Sequence, residues 1–438
     1  MRWGLSLHSG WRLAGLFLVL LSLLLIGCQP ATIPPATPSS IQLFVEPNDG
    51  RVPLLSLLQE ARTRVDMTIY LLSDERMAQA LEDAATRKVR VRVLLEGHPF
   101  GGGETNRRMA ERLRAAGVEV RFASPAFRYT HEKSLIVDED IGVIMTMNLT
   151  PSSFKRNREY GVIFKHKPWV EEMAAVFQAD WERRTPRFPS PPNLVWSPIN
   201  ARETIVGLLN DAQIRLDLEE QDLQDAQIMR ALVDALKRGV KVRLIRPTPR
   251  EGEALEWANV RQLVRLGAEV AFLDHPYVHA KVIVVDGKKA LIGSINLTMT
   301  SLDLNRELGV VITDRSVLSR LMQQMQDDWE EATPVSAAAP TPDGVVLPED
   351  AARYAGQVVT VQGRVLRTYD SGKVTFLDMT SQRDGFSVVI FASNYRKFPK
   401  PPATYYDGKL IQVRGRVKLY KGAPEIIVDD PGNINILR

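Results

Sequence analysis

His131-Glu132-Lys133 and His279-Ala280-Lys281 each set an imidazole two residues before an ammonium, and Asp138 and Asp286 follow at the same spacing. Between lysine and aspartate run SLIV and VIVV, short apolar stretches that read as buried strands. Residues two apart on a strand project from one face, so each His-Lys pair aims at a single spot. A phosphodiester has a poor leaving group and a shielded anionic phosphorus. Cleaving it without a metal takes a nucleophile, a proton donor for the departing oxygen and fixed positive charge. Two imidazoles and two ammoniums cover these roles. Imidazole titrates near neutrality, so a neutral ring can attack while a protonated one donates to the leaving alkoxide and then serves as base for water. Asn148 and Asn296, seventeen residues after each histidine, follow a strand and offer amide N–H to phosphoryl oxygens. Glu159 and Glu307, twenty-eight after each histidine, offer carboxylates to the ring N–H that is not reacting.

These residues belong to an internal repeat. At a constant offset of 148, His131, Lys133, Asp138, Asn148, Arg158, Glu159, Gly161, Asp180 and Trp181 recur as His279, Lys281, Asp286, Asn296, Arg306, Glu307, Gly309, Asp328 and Trp329 without a gap. Upstream the halves align at an offset of 151, with RKVRVRVLLE matching RGVKVRLIRP, so a loop between strand and motif differs by three residues. Each half reads strand, helix, strand, helix, turn glycine (Gly117, Gly267), then the motif strand. Strand alternating with helix predicts an α/β sandwich with a largely parallel buried sheet in each half. The remaining histidines, His8, His98, His166 and His275, have no counterpart at the offset, and His98 and His275, each beside a proline, suit a cleft mouth. No Cys/His cluster has metal-ligand spacing, so the chemistry is read as needing neither metal nor cofactor.

With both motifs in view, residues 41–334 resemble the phospholipase D superfamily, whose signature is H-x-K-x4-D, then G-S-x-N and a later glutamate. The resemblance implies two α/β sandwich repeats related by a pseudo-twofold axis, one site at their interface and a phosphohistidine intermediate. It makes His131 and His279 nucleophile and general acid, with His131 the attacker by family habit, and Lys133 and Lys281 clamps on the phosphate. Asn148, Asn296, Thr146 and Ser294 become phosphate hydrogen-bonders, Glu159 and Glu307 orient the histidines, and Asp138 and Asp286 complete the catalytic motif by holding the strand-turn. Gly293-Ser294-Ile295-Asn296 keeps the pattern, whereas Met145-Thr146-Met147-Asn148 lacks the glycine, which implies a pocket narrowed on one side. The alternative is a catalytically idle body kept for binding.

From Val346 the pattern changes to short β-rich runs, QVVTVQGRVLRTY, KVTFLDMT, FSVVIFA, KLIQVRGRVKLY and PEIIVDD, predicting a small barrel. The paired VVTVQGRV and LIQVRGRV and the later YKGAPEIIV resemble OB-fold domains that bind nucleic acid. Residues 346–438 carry 14 Lys+Arg against 9 Asp+Glu, so the chain's positive charge is concentrated there. Tyr395, Arg396, Lys397 and Phe398 mix aromatic with basic side chains in the manner used to stack bases beside phosphates. The competing reading is a solvated loop whose aromatics cap the barrel.

With 438 residues, 45% apolar and 25% charged, the chain is a packed globular protein of two or three domains. Residues 1–27 carry Arg2 and Arg12 ahead of an uncharged run ending in Leu25-Ile26-Gly27-Cys28, which resembles a bacterial lipobox and predicts a signal peptide with a lipid on Cys28. The competing reading is an uncleaved anchor helix. Cys28 is the single cysteine, which excludes an internal disulfide framework. Residues 28–40 read as a tether, 41–190 and 191–334 as the two repeats, 335–345 as a linker and 346–438 as the barrel. The body is expected outside the cytoplasm, on the outer face of the bacterial cytoplasmic membrane or the cell surface. A monomer holding both half-sites is expected, with a phospholipid or nucleic acid as substrate. The rival is an anchored nucleic-acid-binding protein without turnover.

Overall fold

The structure is a computed structural model that describes residues 40–100, 103–250, 253–335, 345–380 and 385–437. Cys28, the segment before it and residues 336–344 of the linker lie outside these. The first repeat contains β1 (Ile41–Glu46), α1 (Val52–Glu60), β2 (Arg64–Ile69), α2 (Glu75–Thr86), β3 (Arg90–Leu95), α3 (Gly103–Ala115), β4 (Glu119–Phe122), β5 (Lys133–Val137), β6 (Ile141–Met145), β7 (Asn157–Phe164) and α4 (Lys167–Trp181). The second contains β8 (Val195–Ser197), α5 (Ala201–Asp211), β9 (Arg215–Glu220), α6 (Ala226–Lys237), β10 (Lys241–Arg246), α7 (Ala254–Arg265), β11 (Glu269–Phe272), β12 (Tyr277–Val278), β13 (Lys281–Val285), β14 (Lys289–Gly293), α8 (Met299–Asp303), β15 (Glu307–Ile312), α9 (Arg315–Glu331) and β16 (Thr333–Pro334).

The two sheets share one order. The first runs β1-β7-β6-β5-β2-β3-β4 and the second β8-β15-β14-β13-β9-β10-β11-β16. They are mixed rather than largely parallel. Strands β2, β3 and β4 pair in parallel because helices cross between them, whereas β2-β5, β5-β6, β6-β7 and β7-β1 pair antiparallel. Directly after each motif strand the chain returns through a tight turn, from β5 to β6 and from β13 to β14, and such a turn joins only antiparallel neighbours.

One apolar face of each sheet lies under its own helices: Phe44, Leu54, Leu81, Val93 and Leu113 share one cluster, and Leu209, Leu232, Leu244 and Leu263 another. The opposite faces meet each other. Tyr160, Val162 and Met173 of the first repeat pack with Trp196, Ile292, Val310 and Leu321 of the second in one continuous core. Chain segments cross the boundary as well, for β12 pairs in parallel with Asn157 and Arg158 of β7, and Thr130 bridges to Arg306 in the mirror position.

The C-terminal sheet comprises β17 (Val345–Val346), β18 (Val358–Arg364), β19 (Arg367–Asp370), β20 (Val374–Asp378), β21 (Ser387–Phe391), β22 (Leu410–Tyr420), β23 (Ala423–Ile427) and β24 (Ile434–Ile436). Val361, Leu377, Val388, Val413 and Ile426, from strands across the sheet, converge on one core, so the sheet wraps on itself. The run QVVTVQGRVLRTY breaks into β18 and β19 at Val365, whose side chain is buried. Asp350, at the entry to this module, pairs with Arg265 of α7.

Glu46 ends β1 opposite Glu159 and is fully buried, with the Gly50 backbone N–H beside its carboxylate. Burial, helped by Asp49 and Glu159, pushes its carboxyl up to about 8. A folded-state value above the unfolded one gives stability that is present below pH 4.5 and lost as pH rises toward 8, because the unfolded chain releases the proton first. Glu46→Gln keeps the shape and cannot ionise. It is expected to raise the melting temperature by about 2 °C or more at pH 8 and to change it little at pH 5, as read from thermal melts across that range.

Candidate active site

His131 lies in the extended segment just before β5, and its backbone N–H donates to Arg306 of the other repeat (2.8 Å). His279 is held in the same way by Arg158 (3.1 Å). The side chains cross over too. His131 Nδ1 donates to Glu307 Oε2 (2.8 Å) and His279 Nδ1 donates to Glu159 Oε1 (2.8 Å). Each repeat therefore supplies the carboxylate that fixes the other's imidazole, and each Nε2 is left for chemistry.

Lys133 and Lys281 are 0% and 2% exposed, and each ammonium donates to the carbonyl of the histidine two residues earlier. Lys281 reaches Gln221 Oε1 as well (3.1 Å), whereas Lys133 lies against the Tyr70 ring (5.1 Å). The four groups form one electrostatic cluster, in which His131 feels Lys281 and His279 feels Lys133. Burial pulls His131 down to about 4 and Lys133 down to about 7, and it lowers His279 and Lys281 as well. Burial alone would raise Glu159 and Glu307, but the imidazoles and lysines around them hold both carboxyls low. Burial thus disfavours charge on both rings, while the carboxylate bonded to each favours it. An arriving phosphodiester adds the negative charge that favours protonating one ring and both lysines.

Asn148 and Asn296 leave their side-chain carbonyl oxygens buried and without a hydrogen-bond partner, and neither amide is committed elsewhere among the described residues. Thr146 and Ser294 are fully buried and already engaged, which corrects the expectation that they bind phosphate. The Thr146 hydroxyl donates to Glu159 Oε2 (2.6 Å) and accepts from Tyr160 N (3.0 Å); the Ser294 hydroxyl donates to Leu308 O and accepts from Leu308 N. Asn148→Ala is expected to slow turnover about 10²-fold with the fold intact. Ser294→Ala is expected to cost about 1–3 kcal/mol of stability by stranding Leu308 N–H. Initial rates and chemical denaturation of the two variants separate these effects.

Asp138 and Asp286 sit at the far ends of the motif strands. Asp138 accepts from the backbone N–H of Arg62, Thr63 and Arg64, and Asp286 from Gln213, Ile214 and Arg215. Both are left-handed, at φ 53° and 52°, a conformation aspartate tolerates better than most residues. They hold the start of β2 and β9 against the motif turn and take no place among the reacting groups. Met145 does not narrow the pocket, because its side chain is buried beneath α1 and α2. Gly293 is needed for backbone approach: a Cβ there would stand 2.4 Å from Gly309 Cα.

In the C-terminal module Phe398 is 7% exposed and packs in the barrel core against Tyr406. The Tyr395 hydroxyl is tied to Asp370 and Thr375, and Lys397 donates to Asp429 O. Of the four residues expected to grip nucleic acid, only Arg396 stands exposed and uncommitted, and the capping reading describes the two aromatics. Exposed Tyr369 stacks on half-buried Phe376 across β19 and β20.

Residues not foreseen complete the site. Tyr70 meets the His131 ring edge-on (centroids 4.6 Å), and at the matching place the second repeat has Gln221, followed by the half-buried Asp222. Arg158 forks onto Asp328 (2.6 and 2.8 Å), and Arg306 pairs with Asp180 (2.9 Å), tying each lobe to the other beside the glutamates. His98 is exposed at a groove beside the site, and His275 is exposed ahead of a cis peptide bond to Pro276.

Comparison with known proteins gives two family models. One, described as cardiolipin synthase, PLD-like domain, matches residues 54–181 and 205–329; the other, an OB-fold nucleic acid binding domain, matches 359–434. Cardiolipin synthase A of Klebsiella pneumoniae subsp. pneumoniae is 26% identical over 66% of this chain and 69% of its own length, and that of Escherichia coli O1:K1 / APEC is 25% identical over the same shares. Among solved structures, phosphatidylserine synthase of Haemophilus influenzae Rd KW20 has a TM-score of 0.55 at 14% identity, covering 69% of this chain and 89% of that one. Polyphosphate kinase from Porphyromonas gingivalis also scores 0.55, at 18% identity, over 68% of this chain, which spans about half (49%) of the kinase. These two likenesses are of fold.

Proposed function

Because the chain belongs to the family of cardiolipin synthase, PLD-like domains, matched in both repeats, we propose that it is a phosphodiesterase that transfers or hydrolyses the phosphatidyl group of a phospholipid. The observation that carries this reading is the crossed pair of histidine–glutamate bonds, which sets two Nε2 atoms in one cluster with two buried lysines.

In the first step neutral Nε2 of one histidine attacks phosphorus, the bond to the head-group oxygen breaks, and the other ring, protonated, gives that oxygen its proton. A phosphohistidine remains. In the second step the now neutral second ring takes the proton of an incoming hydroxyl, the new P–O bond forms, and the P–N bond breaks to restore the first ring. Water gives hydrolysis; an alcohol gives transfer. The lysines and the Asn148 and Asn296 amides stabilise the phosphoryl oxygens. A lipid on Cys28 would keep a monomer carrying both half-sites at a bilayer outside the cytoplasm.

A second reading, cleavage of nucleic acid, draws on the OB-fold match at 359–434 and the excess of basic residues in that module. The full chain, incubated without divalent ions with phosphatidylglycerol vesicles, phosphatidylcholine vesicles, or single- and double-stranded DNA, decides between them. Release of head-group alcohol or formation of a lipid with two phosphates is expected; shortened DNA with untouched lipid would overturn the lipid reading.

A further inference from the structure

The duplication places β1 and β8 in register at the upstream offset of 151, so Glu46-Pro47 corresponds to Ser197-Pro198. Each copy sets this position directly opposite its orienting glutamate, Glu46 against Glu159 in the β1-β7 pairing and Ser197 against Glu307 in the β8-β15 pairing. Directly opposed residues of an antiparallel pair share one face, with Cβ atoms about 5 Å apart. The scaffold is therefore the same in both copies, but the side chain it brings beside the glutamate is not. The Ser197 hydroxyl is spent on the carbonyls of Ser301 and Leu302, whereas Glu159 meets a second carboxyl.

Both Glu46 and Glu159 are fully buried. Glu159 accepts from His279 Nδ1 (2.8 Å), the Thr146 hydroxyl (2.6 Å) and the Asn157 amide (3.3 Å). The cations around Glu46 are committed to other acids. Arg51, in the turn after β1, forks onto Asp74, and Arg320 of α9 holds Asp49. Arg158 of β7 forks onto Asp328 of α9 and reaches only the backbone carbonyl of Glu46. Burial first, then Asp49 and Glu159, hold the Glu46 proton up to about 8 against the Gly50 N–H and Arg51. On the other side the buried carboxyl that feels Glu307 is Glu132, which has Arg306 as well as Asp180 for company and takes the Ser134 hydroxyl as donor (2.6 Å). Glu46 has no cation paired with its side chain among the described residues.

We propose that Glu46 is a positioning residue that acts on His279 through Glu159: when ionised it sets a second negative charge beside the carboxylate that orients this ring, and so keeps His279 protonated to higher pH without acting on His131. The proposal rests on the two-imidazole mechanism given above, in which one ring must enter protonated, and it makes His279 that ring. Near neutrality Glu46 is protonated and Glu159 alone faces the imidazolium. As pH rises through about 8, Glu46 ionises, the imidazolium gains a second counter-charge, and loss of the acid form is delayed.

The test is single-turnover release of glycerol from dihexanoyl-phosphatidylglycerol by the full chain and by Glu46→Gln, which cannot ionise. The variant is expected to match the wild type at pH 6 and to be about three-fold or more slower at pH 9. It is expected to be the more stable protein at alkaline pH, so unfolding would not account for that loss. Bis(p-nitrophenyl) phosphate, whose leaving group departs without a proton, should show no such difference, and Glu46→Ser, which copies the second repeat, should behave as Glu46→Gln does. An unchanged profile, an equal loss at every pH or with both substrates, or a faster variant at pH 9 would overturn the proposal. Nitrogen-15 spectra of the histidine rings, recorded across pH 6 to 10 with and without inorganic phosphate, need no turnover. The His279 nitrogens should report the Glu46 ionisation in the wild type and lose that step in Glu46→Gln, while His131 is unchanged. A step that survives the substitution, or is lost equally at His131, would also overturn the proposal. Coupling of Glu46 to His279 in a chain that turns over no diester would remove the reaction and uphold the positioning.

Discussion

His279→Asn is expected to lower the rate of phosphodiester turnover by about 10³-fold or more, because one imidazole serves as acid in the first step and as base in the second, or else is the attacking group itself. Asparagine keeps a polar side chain beside Glu159, so a folded protein with no activity is the informative result. His131→Asn should do the same. The double variant should lose little beyond either single one, since residues that act as a unit are not additive. Rapid quench with phosphorus-labelled substrate identifies the attacker: the adduct should appear on one histidine, survive base and be lost in acid, as a P–N bond is. If the single variants keep more than a tenth of wild-type turnover, the two-imidazole mechanism fails.

The pairing that makes this site was half visible in the chain. Constant spacing from His131 to Glu159 and from His279 to Glu307 points to side chains that do pair, but it carries no information about which glutamate meets which histidine. That depends on two sheets packing face to face, a relation set by the apolar residues Tyr160, Val162, Trp196 and Ile292. The identities Arg158/Arg306 and Asp180/Asp328 were equally plain in the repeat. Their meaning was hidden because each arginine pairs with the aspartate of the opposite copy. Thr146 and Ser294 misled for a related reason: a hydroxyl near a catalytic strand reads the same whether it faces substrate or a buried carboxylate. Asp138 and Asp286 were legible as turn-holders, and backbone N–H groups do claim them. The barrel was legible from its runs of β-formers, whereas Phe398 was misplaced because composition cannot distinguish an aromatic that stacks on a ligand from one that closes a core.

Arg158→Leu is expected to destabilise the fold by about 3–5 kcal/mol, the cost of removing one partner from a buried ion pair and leaving the other charged. The guanidinium is buried, forks onto Asp328 and donates also to Glu46 O and Asn48 Oδ1. Without it Asp328 would face Glu219, whose own carboxyl is raised well above its ordinary value by burial first and by Asp328 next, and which takes the Tyr160 hydroxyl as donor (2.8 Å). Two buried carboxyl groups would then face each other without the guanidinium. Arg306→Leu should cost less: one nitrogen donates to Asp180 at 3.1 Å, and the guanidinium also rests 4.3 Å over the Phe127 ring, where leucine can pack. Removing both partners as Arg158→Leu with Asp328→Leu should recover most of the loss, because no unpaired charge remains. Chemical denaturation of the four proteins in this cycle gives the coupling directly. Activity adds a second reading, since Arg158 also presents the carbonyl that accepts His279 N–H and precedes the glutamate that fixes the ring. The double variant should therefore be stable yet slow, with kcat reduced more than KM; full activity in it would show that the lobes are registered without the arginine.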